Sequence, residues 1–197
     1  MIIKAYNEKH NYLLFIDLEF SNQKLVQFAG LLFKNIDDET YQLARSINIY
    51  ISQKVCYPFM EYTNITNNFL EENGIPLDDA RALIFDDFLN NIPLNEIEVI
   101  SHGLKNDRLV LVASCINLSS CGDNPIDGYC TYMNARRILN RQNHLTLNDI
   151  AEDCGYYLHS AHNAYNDVWA EVSVFTGLKK IEKQNSLKEN EHEICRP

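Results

Sequence analysis

Two carboxylates, Asp17 and Glu19, stand on alternate residues inside the apolar run LLFIDLEF. On a strand, residues i and i+2 project to the same side, so the pair shares one face. Burying one unpaired carboxylate is costly, and burying two side by side costs more. Two anions are tolerable in such a strand when cations sit between them, and carboxylate oxygens suit magnesium or manganese. Further along, ISHGLKNDRLVL ends a strand-like run and opens a helix-like one, which sets Asp107 at a helix N-terminus. HSAHNAYNDVWAEV then puts His162 in a loop and Asp167 in the first turns of the next helix, adding a carboxylate and an imidazole that titrates near neutrality. Singly, each has a plain structural alternative. D-x-E arises by chance among 27 acidic residues, Asp107 suits a helix dipole, and a histidine before a helix is more often structural than catalytic.

The elements that would have to position these groups can be read along the chain. YLLFIDLEF is a nearly continuous apolar run, as expected of a central strand covered on both faces. KLVQFAGLLFKN and RSINIYIS follow after short polar breaks, and the three together predict an antiparallel meander. TNITNNFLEENGI reads as a short helix capped by Thr63 or Asn64 and ended by Gly74. Pro76 opens another helix, with Leu77, Ala80, Leu83, Ile84, Phe88 and Leu89 on one face and Asp78, Asp79, Asp86 and Asp87 on a solvated one. EIEVISH is a fourth strand followed by a helix, and GYCTYMN a short fifth strand leading into ARRILNRQ. Thr146 and Asp149 fit a capping box for a helix that Gly155 would end. The last helix starts near Ala164, with Val168, Val172, Phe175 and Leu178 on one face. The order β-β-β-α-α-β-α-β-α-α describes one α/β domain over residues 1–180, and the polar segment 181–197 reads as a flexible tail.

Composition narrows the class. The chain has 197 residues, 46 % of them hydrophobic, enough for a sizeable single core. Six cysteines at 56, 115, 121, 130, 154 and 195 show no C-x-x-C spacing, which argues against a thiolate zinc site or redox pair. No membrane-length apolar run and no signal peptide are evident, so a soluble, cytoplasmic chain is expected. A net charge of −10 argues against coating long duplex DNA through a broad basic face. It leaves room for a nuclease that holds cations and a short single strand.

Asp17, Glu19, Asp107, His162 and Asp167, in that order and setting, resemble the DEDDh family of 3′–5′ exonucleases, the DnaQ-like enzymes of ribonuclease H-like fold. The resemblance spans about residues 10–178 and rests on three motifs: D-x-E in FIDLEF, H-x-x-x-x-D in HGLKND, and H-x-A-x-x-D in HNAYND. It departs from the commonest pattern where Phe20 follows the first motif in place of Thr, and where Gly103 and Asn106 replace Asn and Phe in the second. The resemblance implies a five-stranded mixed sheet flanked by helices. It also implies two divalent ions, Mg²⁺ or Mn²⁺, on Asp17, Glu19, Asp107 and Asp167, with Asp17 bridging. One ion would lower the pKa of a bound water and the other stabilise the leaving 3′ oxygen, with His162 as general base.

The implied substrates are single-stranded DNA or RNA 3′ ends, and the products nucleoside 5′-monophosphates. His159 is a rival base, but its spacing to Asp167 does not fit the motif. Phe20, Leu18 and His102 are candidate substrate contacts, Phe20 by stacking on a terminal base. Arg136, Arg137 and Arg141 form a basic cluster that reads by default as a solvated helix face. Two other readings stay open: a binding module of the same fold with weak or no turnover, and an accessory subunit whose substrate is delivered by a protein partner or a homo-oligomer.

Overall fold

A computed structural model describes residues 1–119, 128–156 and 162–194. Its centre is a mixed sheet in the order β1-β4-β3-β2-β5-β6. The strands are β1 (Ile2–Lys4), β2 (Tyr12–Ser21), β3 (Lys24–Asp37), β4 (Thr40–Tyr50), β5 (Ile97–Ser101) and β6 (Gly128–Cys130). β2, β3 and β4 form the expected antiparallel meander, and β5 and β6 add in parallel. The turn between β2 and β3 is tight because Asn22 and Gln23 both adopt positive φ, the geometry that suits the twist of a two-residue hairpin. The sheet has six strands rather than five. The extra one, β1, is a three-residue edge strand too short to show a period, held against β4.

Helices cover both faces, as the continuous apolar character of β2 requires. They are α1 (Tyr57–Thr63), α2 (Asn67–Asn73), α3 (Leu77–Ala82), α4 (Leu104–Ala113), α5 (Thr131–Ile138), α6 (Leu147–Asp153) and α7 (Ala164–Ile194). On one face Leu14, Ile16 and Leu18 pack with Val110 and Leu111 of α4 and with Ala80, Ile84 and Phe88 of α3 and the π-helical turn that extends it. On the other, Leu13 and Phe15 meet Val168, Val172 and Phe175 of α7. The period-2 alternation of β2 therefore sends Asp17 and Glu19 toward the α7 side.

Local signals were mostly sound. The capping box of Thr146 and Asp149 forms, with both reciprocal hydrogen bonds. Thr66, rather than Thr63 or Asn64, caps α2, because residues 57–63 are already a helix of their own that Asn64 ends at φ 61°. Gly128 is the one glycine the sheet cannot replace: a Cβ there would lie 2.0 Å from the Val99 carbonyl oxygen. The largest difference from expectation is at the end of the chain. α7 continues through 181–194, where a flexible tail was expected from residue 181. Contacts that hold its continuation to the domain include Arg137 to Glu182 at 2.6 Å, Lys183 to Glu39 at 3.0 Å and the Lys183 ammonium 4.0 Å from the centre of the Tyr6 ring.

Candidate active site

Pairing of β2 with β5 runs from Tyr12↔Ile97 to Phe15↔Ile100 and stops there. Asp17 and Glu19 lie just beyond, where the strands part, at the carboxyl end of a parallel pair. That is the usual place for ligands in α/β sheets. A register shift between Glu19 and Phe20 ends the regular ladder of β2 with β3 at the same point.

Asp167 arrives from the first turn of α7, and ligand oxygens of Asp17, Glu19 and Asp167 fall within 4.8 Å of one another. Asp107, in the first turn of α4, is 6 % exposed, and the Ser101 hydroxyl donates to its Oδ2. Burial raises the pKa of Asp17 well above the carboxylate range, and the charges of Asp107, Asp167 and Glu19 push it further. Burial likewise lifts Glu19 to about 7 with help from Asp167, and Asp107 to about 7 against the Ser101 hydrogen bond. Asp167 rises to about 6 by burial, opposed by the backbone N–H groups of His162 and Asn163. Four carboxylates thus raise one another's cost of ionisation, and its physical remedy is a cation. The donor set, all hard oxygens, fits a divalent ion such as Mg²⁺ or Mn²⁺, and Asp167 Oδ1 is buried with no hydrogen-bond partner among the described residues.

His162 sits at the edge of this cluster. Its backbone N–H donates to Asp167 Oδ2 at 3.0 Å, and its φ of 66° turns the chain sharply into α7. Its ring lies 3.7 Å, centroid to centroid, from that of Tyr62 on α1, and burial lowers its pKa. His159 lies outside the described residues.

The proposed substrate contacts separate. Phe20 is exposed near the end of β2. Leu18 is only 5 % exposed: one residue out of phase with the carboxylates, it turns to the opposite face and packs in the core with Ile16 and Val110. Its side chain therefore lies on the face of β2 away from the carboxylates. His102 is half-buried, its Nδ1 3.0 Å from the Thr131 hydroxyl, and burial drops its pKa to about 4, so the ring is neutral at physiological pH. Among the arginines, Arg137 pairs with Glu182, Arg141 with Asp153, and Arg136 donates to the Gln142 carbonyl, all on an exposed face.

Besides Tyr62 and Ser101, Gln27 and Glu171 lie near the cluster and went unread in the sequence. Gln27, opposite Glu19 in the β2–β3 register and fully buried, accepts from the Ala164 N–H at 3.3 Å and donates to Asn48 at 2.8 Å. It buckles the start of α7, and so Asp167, onto the sheet. Glu171, one turn after Asp167, is also fully buried. Its signal was present: it falls between Val168 and Val172 on the apolar stripe of α7, where a charge has no ordinary reason to be.

No protein-family model matches the chain, and no curated protein matches it by sequence. Solved structures do match by fold. A 3′-exonuclease that recognises the 3′ end of a histone mRNA stem-loop superposes with a TM-score of 0.68 at 9 % identity, over 90 % of this chain and 84 % of that one. The nuclease domain of 3′hExo, a DEDDh family member bound to rAMP, gives 0.63 at 11 % identity over 89 % and 94 %. E. coli exonuclease I in complex with a dA16 oligonucleotide gives 0.68 at 15 % identity over 88 % of this chain but only 42 % of its own length. The chain has the ribonuclease H-like fold of DnaQ-like exonucleases.

Proposed function

We propose that this chain is a metal-dependent 3′–5′ exonuclease of the DEDDh type, hydrolysing single-stranded nucleic acid to nucleoside 5′-monophosphates. The observation that carries the reading is the convergence of Asp17, Glu19 and Asp167 within 4.8 Å, with Asp107 pressing on the same Asp17 charge. A protein keeps such a cluster at the open end of a parallel strand pair when cations complete it. Asp17, Glu19, Asp107 and Asp167 would hold two divalent ions, Mg²⁺ or Mn²⁺. When bound, such ions supply an activated water and stabilise the leaving 3′ oxygen.

The remaining work falls to the side chains. His162 takes the proton from the attacking water, a role for which a lowered pKa keeps the ring neutral. Tyr62 stacks on that ring and restricts its swing. Ser101 holds Asp107 by one oxygen and leaves the other for a cation. Phe20, exposed beside Glu19, is available to stack on a terminal base. Structures of this fold have been solved with DNA and with RNA. Single-stranded DNA and RNA ends are therefore both assigned here as candidate substrates.

The test uses 5′-labelled DNA and RNA of one sequence with Mg²⁺, Mn²⁺ or EDTA, beside Asp17→Ala. A metal-dependent ladder shortening from the 3′ end, lost in the variant, is the expected result. Intact strands under every metal would sink this reading in favour of a binding module or a partner-dependent subunit. The net charge of −10 lends that second reading its support, because an acidic chain attracts polyanions poorly on its own.

A further inference from the structure

Glu171 is 0 % exposed and belongs to none of the three motifs. Its Oε1 accepts the backbone N–H of His102 at 2.9 Å. That N–H lies in the turn that launches α4, between Ser101, whose hydroxyl holds Asp107 and accepts from the Gly103 N–H at 3.2 Å, and Gly103 itself. The helix that presents Asp167 thereby clamps the turn that presents Asp107. Glu171 Oε2 is buried with no hydrogen-bond partner among the described residues, and the charges of Asp17, Asp107 and Asp167 all bear on this carboxylate. A glutamine could accept the same N–H without bringing a charge into that company. A carboxylate there costs stability in the empty protein, and its negative charge is useful only to a cation nearby.

We infer that Glu171 is a positioning residue of the cation site: it fixes the His102 turn, and with it Asp107, and adds a fifth negative charge behind the carboxylates that face the ions. The inference rests on the metal-dependent reading above. It separates two properties that a purely structural residue would move together, since the charge that strengthens cation binding weakens the empty fold.

The test is Mn²⁺ binding by calorimetry and by the Mn²⁺ electron paramagnetic resonance signal, together with metal-free melting, for the full chain and for Glu171→Gln and Glu171→Met. Glu171→Gln keeps the acceptor and loses the charge. It is expected to melt higher than the parent without metal, yet to bind Mn²⁺ several-fold more weakly. Glu171→Met loses both, and its Mn²⁺ affinity should fall by about tenfold or more, the scale seen when partners of metal ligands are removed. Parent-like Mn²⁺ affinity in both variants would overturn the inference. So would a metal-free melting temperature that drops in Glu171→Gln, since that marks a structural anchor. Should Glu171→Met not fold, Glu171→Gln decides alone by the same two readouts. If the parent chain itself binds no Mn²⁺, it is the metal-dependent reading that fails.

Discussion

Glu171, on α7, and Glu8, packed against the same helix, both carry buried carboxylates, and the molecule treats them in opposite ways. Glu8 meets Lys179 at 3.2 Å and His10 at 2.7 Å. Burial pushes its pKa up, but the His10 hydrogen bond, the Lys179 charge and the Lys9 N–H outweigh it, and the net shift is downward. Lys179 itself lies over the rings of Tyr129 and Phe175, so its charge is sheltered and well placed. Eight residues earlier on the same helix, Glu171 faces Asp17, Asp107 and Asp167. Midway along α7 lies an ion-paired, finished network, and toward its N-terminal end lies a sum of like charges. A buried charge with its partner built in belongs to the fold. Buried like charges in company belong to whatever binds there.

The sharpest way to break that contrast is to remove one charge from each. Asp17→Asn should abolish turnover, a loss of at least about a thousandfold if the cations depend on it, while raising the metal-free melting temperature. A variant that lost activity and melted lower would place Asp17 with Glu8, among structural charges. His162→Ala comes next: about a hundredfold or more in rate, with Mn²⁺ affinity held within a few-fold, because the ring moves a proton and holds no ion. Near-parent turnover across pH 6–9 would remove His162 from the mechanism. Lys179→Met does the reverse of Asp17→Asn. Stranding Glu8 should cost about 3 kcal/mol, read as a drop in melting temperature with turnover per folded molecule unchanged.

The pH dependence of the empty protein sharpens the comparison further. Glu19 and Asp107 titrate near 7 in the folded chain and Asp167 near 6, each above its ordinary value. The folded state therefore binds more protons than the unfolded one between about pH 4 and 7. Stability from these groups is present in full below the unfolded values and is lost as pH rises through 6–7. With EDTA, melting should fall between pH 5 and 8, by about 5–10 °C if a few kcal/mol are at stake, and Mg²⁺ or Mn²⁺ should restore it at pH 8. Glu8 shifts the other way, so Asp17→Asn should flatten the slope and Lys179→Met should not. A slope equal in the presence and absence of metal would mean that these carboxylates carry no ion.

Much of this was legible because it is local. D-x-E inside an apolar run, and a histidine five residues before an aspartate at a helix start, need only the periods of strand and helix. The alternation that revealed Asp17 and Glu19 also turns the Leu18 side chain to the other face. What stayed hidden depends on contacts between distant residues. β1 is three residues long and exists because β4 offers an edge. Glu171 stands out in the sequence as a charge on the apolar stripe of α7, but what it holds shows only when the His102 turn, 69 positions away, is laid against it. The run from residue 181 is polar by composition, and Arg137, Glu39 and Tyr6 show what it leans on.

That last stretch supplies the smallest test, and it fixes the other limit of the comparison. Glu182 pairs with Arg137 at 2.6 Å, a shorter contact than the Lys179–Glu8 pair, yet the arginine side chain is 61 % exposed and the glutamate 30 %. If proximity alone set the worth of an ion pair, Glu182→Gln should hurt more than Lys179→Met. Water screens an exposed pair and the two side chains lose entropy in holding it, so its net value is small. Glu182→Gln is expected to shift the melting temperature by no more than about 2 °C and to leave turnover untouched. A larger drop, matched by loss of helical signal, would mean that the pair anchors the end of α7 and that burial is not what separates the finished network from the exposed one.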